Sequence, residues 1–430
     1  IFTNLAIVGY IAALFVLAPV VAVAAIALFT LRRETKLPLV LLLPVVWVAS
    51  ELVLNYMSDL SFPWLPLGLA LSRTPVLAQA ADLSGVRGLS FAIAAVNGLF
   101  ADAWLLRGQR RAIEKRLFAA SFIIVALACY GAWRMKTTPL VPLAPVAIVQ
   151  PNIPQDEKWQ EQNRSHIIGT LDSITRKRLS EHDAKLILWP EAALPGFIVE
   201  HPEWKRDLTA MARGSHTPIL FGTLDVDWHG KDDYEYFNAA MLADSTGAIG
   251  AQPSYRKSYL VPIVERVPFV NPRWFKGLKY FGGFGRGTNT KPFELSFGKV
   301  GVLICYESIF PQRSREFRRE GANMIVNITN DAWFGKSLAV YQHEAHLALR
   351  AIENRVGIVR AANTGISSYI DPLGVIHGET HLEVPASEVY DAQTTSVMTL
   401  YTRVGDWLGM LCLLFTVAGL IWVRLRKRGA

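Results

Sequence analysis

GVLICYESIF, residues 301–310, is the stretch from which the rest of the chain can be read. An apolar run, Val300 to Ile304, leads into it and has the length and composition of a buried strand. The run stops at Cys305, and Tyr306, Glu307 and Ser308 follow at once. A strand that delivers a thiol to a polar turn can present a nucleophile. The same pattern fits an inert cysteine, because free cysteines are among the most buried residue types. The surrounding chain has to decide between the two.

At 430 residues the chain is long for a single domain. A hydrophobic content of 51% directs attention first to membrane spans. Apolar runs at 4–30, 37–54, 88–106, 117–133 and 407–423 each read as a spanning helix. The segment 58–75 is apolar but broken by Pro63 and Pro66. It reads as a re-entrant or interfacial piece with Trp64 at headgroup depth. The net charge of +8 does not point to nucleic acid, since many basic residues sit beside apolar runs. The basic segments 32–36, 107–116 and 424–428 are expected on the cytoplasmic side, which places the region between the fourth and fifth spans outside. The chain opens on Ile1 rather than Met, and the span count leads to the expectation that an odd number of spans precedes it. The expected organisation is a membrane bundle over 1–135, incomplete at its N-terminus, an external domain over 136–405, and a final span with a basic cytoplasmic tail over 406–430.

The external region differs in kind. Strand-like runs at 144–150, 184–191, 218–223, 235–244, 322–330, 356–362 and 367–374 alternate with helical stretches at 160–179, 203–214, 312–320 and 341–354. That alternation predicts one α/β domain around a buried sheet core. Of the three cysteines, Cys129 and Cys412 fall in long apolar runs. Cys305 is therefore alone in the polar region, with no disulfide partner there and no CxxC pair for a metal.

A catalytic thiol needs a base and a group that stabilises an oxyanion. None of the nine histidines ends a long apolar strand of the kind that leads to Cys305. His343 and His346 share a helix face, but Glu344 lies between them outside any HExxH frame, so no metal is predicted. Carboxylates fit better. Glu191 closes the buried run KLILWPE, at the strand edge where α/β proteins build ligand sites. The bland alternative is a solvated strand-end acid. Lys257 stands between two tyrosines in YRKSYLVP and, aimed inward, could hold a developing negative charge; solvation is its alternative.

Glutamate in LWPEAALPG, lysine in YRKSYLVP and cysteine in GVLICYES, in that order, resemble the nitrilase superfamily. The flanking apolar spans, VQPNIPQDEKW at 149–159, LVPIVERVPF at 260–269 and TNDAWFG at 329–335 resemble one branch of it, the apolipoprotein N-acyltransferases of the bacterial inner membrane. One departure stands out: the family's LVPFGE is LVPIVE here, with Ile263 and Val264 in place of Phe-Gly before Glu265, and a stiffer backbone is expected there.

The resemblance implies a four-layer α-β-β-α sandwich inserted between transmembrane helices, with its catalytic domain facing the periplasm. It implies acyl transfer from a phospholipid such as phosphatidylethanolamine to the N-terminal amine of a diacylated lipoprotein, through a thioester on Cys305. Glu191 would be the base, and Lys257 with the Tyr306 backbone N–H would hold the oxyanion. Glu265 and Glu307 would support Lys257 or share the proton traffic. Trp159, Trp274, Phe275 and Trp333 would contact lipid, with 266–287 as a mobile aromatic lid. No metal or cofactor is expected, and the protein is expected to be a monomer. The rival readings are a membrane-anchored amidase or nitrilase with water as second nucleophile, and an inactive lipoprotein-binding scaffold.

Overall fold

The computed structural model of the chain describes residues 2–230, 233–270 and 283–428. It divides into two compact units, one of Ile1–Thr137 with Thr399–Ala430 and one of Thr138–Met398.

The first unit is helical. Among the described residues, Ala13–Thr35, Val86–Leu105, Arg110–Thr137 and Trp407–Arg428 are long and apolar enough to cross a membrane. The run expected to span at 37–54 is the helix Leu39–Asn55, an apolar helix whose 17 residues lie at the short end of the range for a crossing. Its first turn is held by Asp102, whose carboxylate accepts from the backbone N–H of Leu39 at 3.1 Å and Val40 at 3.2 Å. The interrupted segment at 58–75 contains the short 3-10 turns Ser58–Leu60 and Leu67–Leu71. Several buried charges of this unit are paired, as an apolar setting favours. Arg87 pairs with Asp406, which also accepts from the Tyr56 hydroxyl at 2.8 Å, and Arg134 reaches Asp82 at 2.7 Å. Phe15, Phe118, Phe122 and Phe415 are exposed on the outer faces of these helices.

The second unit is built on strands β1 (Val141–Gln150), β2 (Leu186–Leu188), β3 (Ile219–Trp228), β4 (Tyr234–Ala243), β5 (Tyr255–Arg256), β6 (Phe293–Leu295), β7 (Gly298–Ile304), β8 (Met324–Thr329), β9 (Gly357–Ala362), β10 (Ser368–Ile370), β11 (Ile376–His377) and β12 (Ala386–Thr394). They form two six-stranded sheets, in the order β12-β1-β2-β3-β4-β5 and β11-β10-β9-β8-β7-β6. Strands β1 to β3 run parallel, as do β7 to β9, and the strands towards each edge are antiparallel.

Side-chain alternation assigns the layers. Val146 and Ile148 of β1, with Leu186 and Leu188 of β2, point to one face and pack with Val302, Ile304 and Ile358 of the other sheet. Ala147, Val149 and Ile187 point the opposite way. They meet Ile167 and Leu171 of the helix Arg164–Glu181 and Leu208 of the helix Pro202–Ser215. Phe317 and Leu347 bring the helices Pro311–Arg319 and Leu338–Asn354 against the second sheet. The unit is an α-β-β-α sandwich, as the resemblance implied.

Two expectations need correction. The run 367–374 is strand only over Ser368–Ile370, and then turns at Asp371, whose carbonyl accepts from Gly374 N–H at 2.9 Å. Strand β12 had no counterpart in the sequence reading. It pairs antiparallel with the whole of β1.

Candidate active site

Three strand ends supply the centre. After β2 the chain turns through Trp189, Pro190 and Glu191. Pro190 offers no N–H, and its carbonyl accepts from Gly222 of β3 at 3.2 Å. A Cβ on Gly222 would lie 2.5 Å from the Ala192 nitrogen and 2.6 Å from the Pro190 oxygen, so only glycine lets this turn lie against β3. Lys257 follows β5. Its backbone is tied at both sides, with its N–H to the Asn238 carbonyl at 2.8 Å and its carbonyl to Gly287 N–H at 2.9 Å. Cys305 follows β7 with φ +49°, in the left-handed region that a non-glycine residue rarely occupies. Such a conformation costs about 1–3 kcal/mol and persists only where its surroundings enforce it.

Glu307 supplies part of that enforcement. Its carboxylate accepts from Ile304 N–H at 2.9 Å, on the strand side of Cys305. It also accepts from Ser258 N–H and the Ser258 hydroxyl, both at 2.8 Å, and lies 2.7 Å from the Tyr255 hydroxyl. One fully buried carboxylate thus joins the Cys305 turn to the segment that carries Lys257.

Lys257 is buried between two carboxylates, with Nζ 2.8 Å from Glu265 Oε1 and 3.4 Å from Glu191 Oε1. Burial alone would lower its pKa, but the charges of Glu265 and Glu191 outweigh that and hold it above the usual lysine range. Asn238 donates to both carboxylates, at 2.8 Å to Glu191 and 3.1 Å to Glu265. The other Glu191 oxygen accepts from Asn330 N–H at 2.9 Å. The half-buried Cys305 thiol is pushed well above its ordinary range by desolvation and by the Glu191 charge, so it is protonated at rest. Tyr306 is buried beside the thiol turn.

A second lysine approaches the centre. Lys158 is buried and donates from Nζ to the main-chain carbonyl of Glu191 at 2.8 Å. Desolvation pushes its pKa down to about 8, and the charges of Glu191 and Cys305 partly offset it. Trp159 and Trp333 are both about half exposed, at 48% and 57%. Trp274 and Phe275 lie outside the described residues, as does most of the proposed lid. Among the described residues no group of three or more His, Cys, Asp or Glu is placed to hold a metal. His343 instead lies 2.9 Å from Asp331 Oδ1 through Nδ1 and 3.0 Å from the Cys305 carbonyl through Nε2.

The model for the carbon-nitrogen hydrolase family matches residues 145–385, and the model for the apolipoprotein N-acyltransferase N-terminal domain matches 1–99. A Geobacter metallireducens protein named apolipoprotein N-acyltransferase is 33% identical over 398 residues, covering 90% of this chain and 75% of that protein. The chain belongs to the apolipoprotein N-acyltransferase family. A Rickettsia prowazekii protein of the same name is 32% identical over 86% of this chain and 74% of its own. Among solved structures, an amidase from Nesterenkonia sp. is 19% identical, covering 63% of this chain and 94% of its own, with a TM-score of 0.42.

Within this family member, sequence reasoning singled out neither Asn238, Asn330 nor Lys158, and it set His343 aside. Asn238 sits mid-strand in an apolar run, YFNAAML, and a lone polar residue at a buried strand position is the signal that could have found it. Lys158 lies in the polar stretch QDEKW and looks solvated. The sequence has no mark for Asn330, because its contact with Glu191 is made by the backbone.

Proposed function

We propose that this chain is a membrane-bound acyltransferase that moves an acyl chain from a phospholipid to the N-terminal amine of a diacylated lipoprotein through a thioester on Cys305. Family membership supports the overall activity. The observation that supports the mechanism is the convergence of Glu191, Lys257 and Cys305 from the ends of β2, β5 and β7, with a carboxylate able to accept a proton beside a protonated thiol.

Glu191 takes the thiol proton as sulfur attacks the ester carbonyl. The oxyanion of the tetrahedral intermediate is held by the Lys257 ammonium and the Tyr306 backbone N–H. Collapse breaks the ester C–O bond, and the Glu191 proton goes to the departing lysophospholipid oxygen. The lipoprotein amine then attacks the thioester and gives a proton to Glu191, which passes it to the departing sulfur as the C–S bond breaks. Glu265 holds Lys257 in place, and Glu307 holds the two loops together. Thiolate leaves more readily than alkoxide, which suits the second step to an amine. One nucleophile serving two half-reactions gives ping-pong kinetics.

Phosphatidylethanolamine is the proposed donor, and the exposed Trp159 and Trp333 are proposed to meet acyl chains. The basic segments support a periplasmic domain anchored in the inner membrane, and the protein is proposed to act as a monomer. Membrane anchoring spares both substrates the cost of drawing acyl chains into water, about 0.8 kcal/mol per CH₂.

The test is intact mass of the protein after exposure to phosphatidylethanolamine. The wild type is expected to gain a thiol-labile acyl mass that a diacylated lipopeptide discharges, and Cys305→Ser is expected to gain none. Acyl transfer by Cys305→Ser, or discharge only by water, would overturn the reading.

A further inference from the structure

The helix Leu338–Asn354 delivers His343, fully buried, to the underside of the Cys305 turn. A main-chain carbonyl only accepts hydrogen bonds, so the 3.0 Å contact with the Cys305 oxygen requires a proton on Nε2. The Nδ1 side is constrained as well. Asp331 Oδ2 accepts from Arg360 at 2.5 Å, and Oδ1 accepts from the Thr329 hydroxyl at 3.0 Å. Burial works against ionisation of Asp331, but Arg360 and His343 outweigh it, and the group lies below the usual carboxylate range. Nδ1 lies 2.9 Å from Asp331 Oδ1 and 3.2 Å from the Arg360 guanidinium, so the ring is fixed from that side by both groups.

We propose that His343 is a positioning residue of the transfer reaction, held by Asp331 and Arg360 and clamping the main-chain carbonyl of Cys305 through its Nε2–H. The clamp has a specific task. Cys305 sits at φ +49°, and its carbonyl is the lever that sets this strained turn. Glu307 fixes the strand side through Ile304 N–H, and His343 fixes the far side through the carbonyl. The Nε2–H donated to this carbonyl also polarises the peptide whose Tyr306 N–H faces the oxyanion, in the helpful direction. The titratable and charged groups that face His343 are Asp331 from the turn after β8, Arg360 from β9 and the Cys305 thiol from the turn after β7. Phe334 covers it from the side, with ring centroids 5.8 Å apart.

The inference rests on Cys305 being the nucleophile, and the experiment separates the two. In wild-type protein carrying 15N-histidine, the long-range 1H–15N pattern of His343, assigned by its loss in His343→Gln, is expected to show a proton on Nε2, the nitrogen that faces the Cys305 carbonyl. In single-turnover acylation by phosphatidylethanolamine, His343→Gln is expected to be roughly 10- to 100-fold slower at saturating lipid, the size of leaving one buried carbonyl without its donor. The lipid concentration for half-maximal rate should stay unchanged, and alkylation of Cys305 by iodoacetamide should need higher pH. A pattern with Nε2 unprotonated in the wild type overturns the proposal, and so does a His343→Gln protein with unaltered acylation and alkylation. If His343→Gln does not fold, Asp331→Asn, which removes the carboxylate that holds Nδ1, should shift the His343 signals and slow acylation in the same way; unchanged signals and rate overturn the proposal. Failure of the wild type to form any acyl adduct would strike the nucleophile reading and leave the protonation result standing.

Discussion

One amide nitrogen, Asn238 Nδ2, bridges the two carboxylates that flank Lys257, 2.8 Å from Glu191 and 3.1 Å from Glu265. Two acceptors on one nitrogen fix which end of the amide faces inward, and the Asn238 oxygen, also buried, has no partner among the described residues. Asn238→Ala should slow acyl-enzyme formation by about 10-fold through loss of charge-assisted hydrogen bonds. Asn238→Asp places a third carboxylate beside Lys257 and should cost more, about 100-fold, because repulsion favours protonation of the base. Its acylation profile should also move to higher pH. Equal rates for the two variants would show that the bridge does not orient Glu191.

Lys158 gives a pH-dependent stability with a definite sign. Its folded pKa is about 8, below the ordinary value of 10.5 for the unfolded chain. Below pH 8 both states bind the proton, and the cost of burying the charge is constant. Between pH 8 and 10.5 only the unfolded chain binds it, so this group's contribution to stability rises with pH, by about 3 kcal/mol in total. Lys257, held above its ordinary range, acts in the opposite direction and at higher pH. Lys158→Met removes the rise. Its melting temperature relative to wild type should be highest below pH 8 and fall steadily towards pH 10.5. A gap that stays constant across that range would contradict the assignment.

Gly222 makes room for Glu191, the proposed base. Because a Cβ there would meet the Ala192 nitrogen and the Pro190 oxygen, both backbone atoms, neither neighbour yields cheaply. Gly222→Ala should destabilise by about 1–3 kcal/mol and displace Glu191. Thermal melting and the single-turnover acylation rate would both fall. Normal acylation in a protein that melts normally would contradict the packing argument.

The departure at LVPIVE has a local consequence that differs in place from the one expected. Stiffening was anticipated at both replaced positions, but the left-handed backbone falls on Ile263, at φ +70°, and Val264 is not among the residues with positive φ. A β-branched residue in that region is strained by about 1–2 kcal/mol. The turn is nonetheless closed by hydrogen bonds from Ile263 N–H to the Arg266 carbonyl at 2.8 Å and from Glu265 N–H to the Val261 carbonyl at 3.0 Å. Ile263→Gly should raise the melting temperature by a few degrees and leave the acylation rate within about twofold. A lower melting temperature would mean that the side chain's packing outweighs the strain.

The central strands were legible because parallel strands buried on both faces read as continuous apolar runs. KLILWPE, GVLIC and MIVNIT are of that kind. β12 was not, because ASEVYDAQT lies at a sheet edge where one side of the strand meets solvent and polar residues are tolerated. The helix around His343 was legible as a helix and misleading as a site. The spacing of His343 and His346 raised the question of a metal, whereas the partners of His343 are a carboxylate and a backbone oxygen.

From the sequence alone came an α/β domain between apolar helices and the order Glu191, Lys257, Cys305, because burial pattern and residue type are local properties; the four-layer sandwich came from the family resemblance. The tertiary structure decided how these groups are held. It brought Asn238 and Asn330 to Glu191, set Lys158 under the same turn, and put His343 on the carbonyl of Cys305. Those contacts join residues far apart in the chain, and several end on backbone atoms that every residue carries, so no residue type announces them.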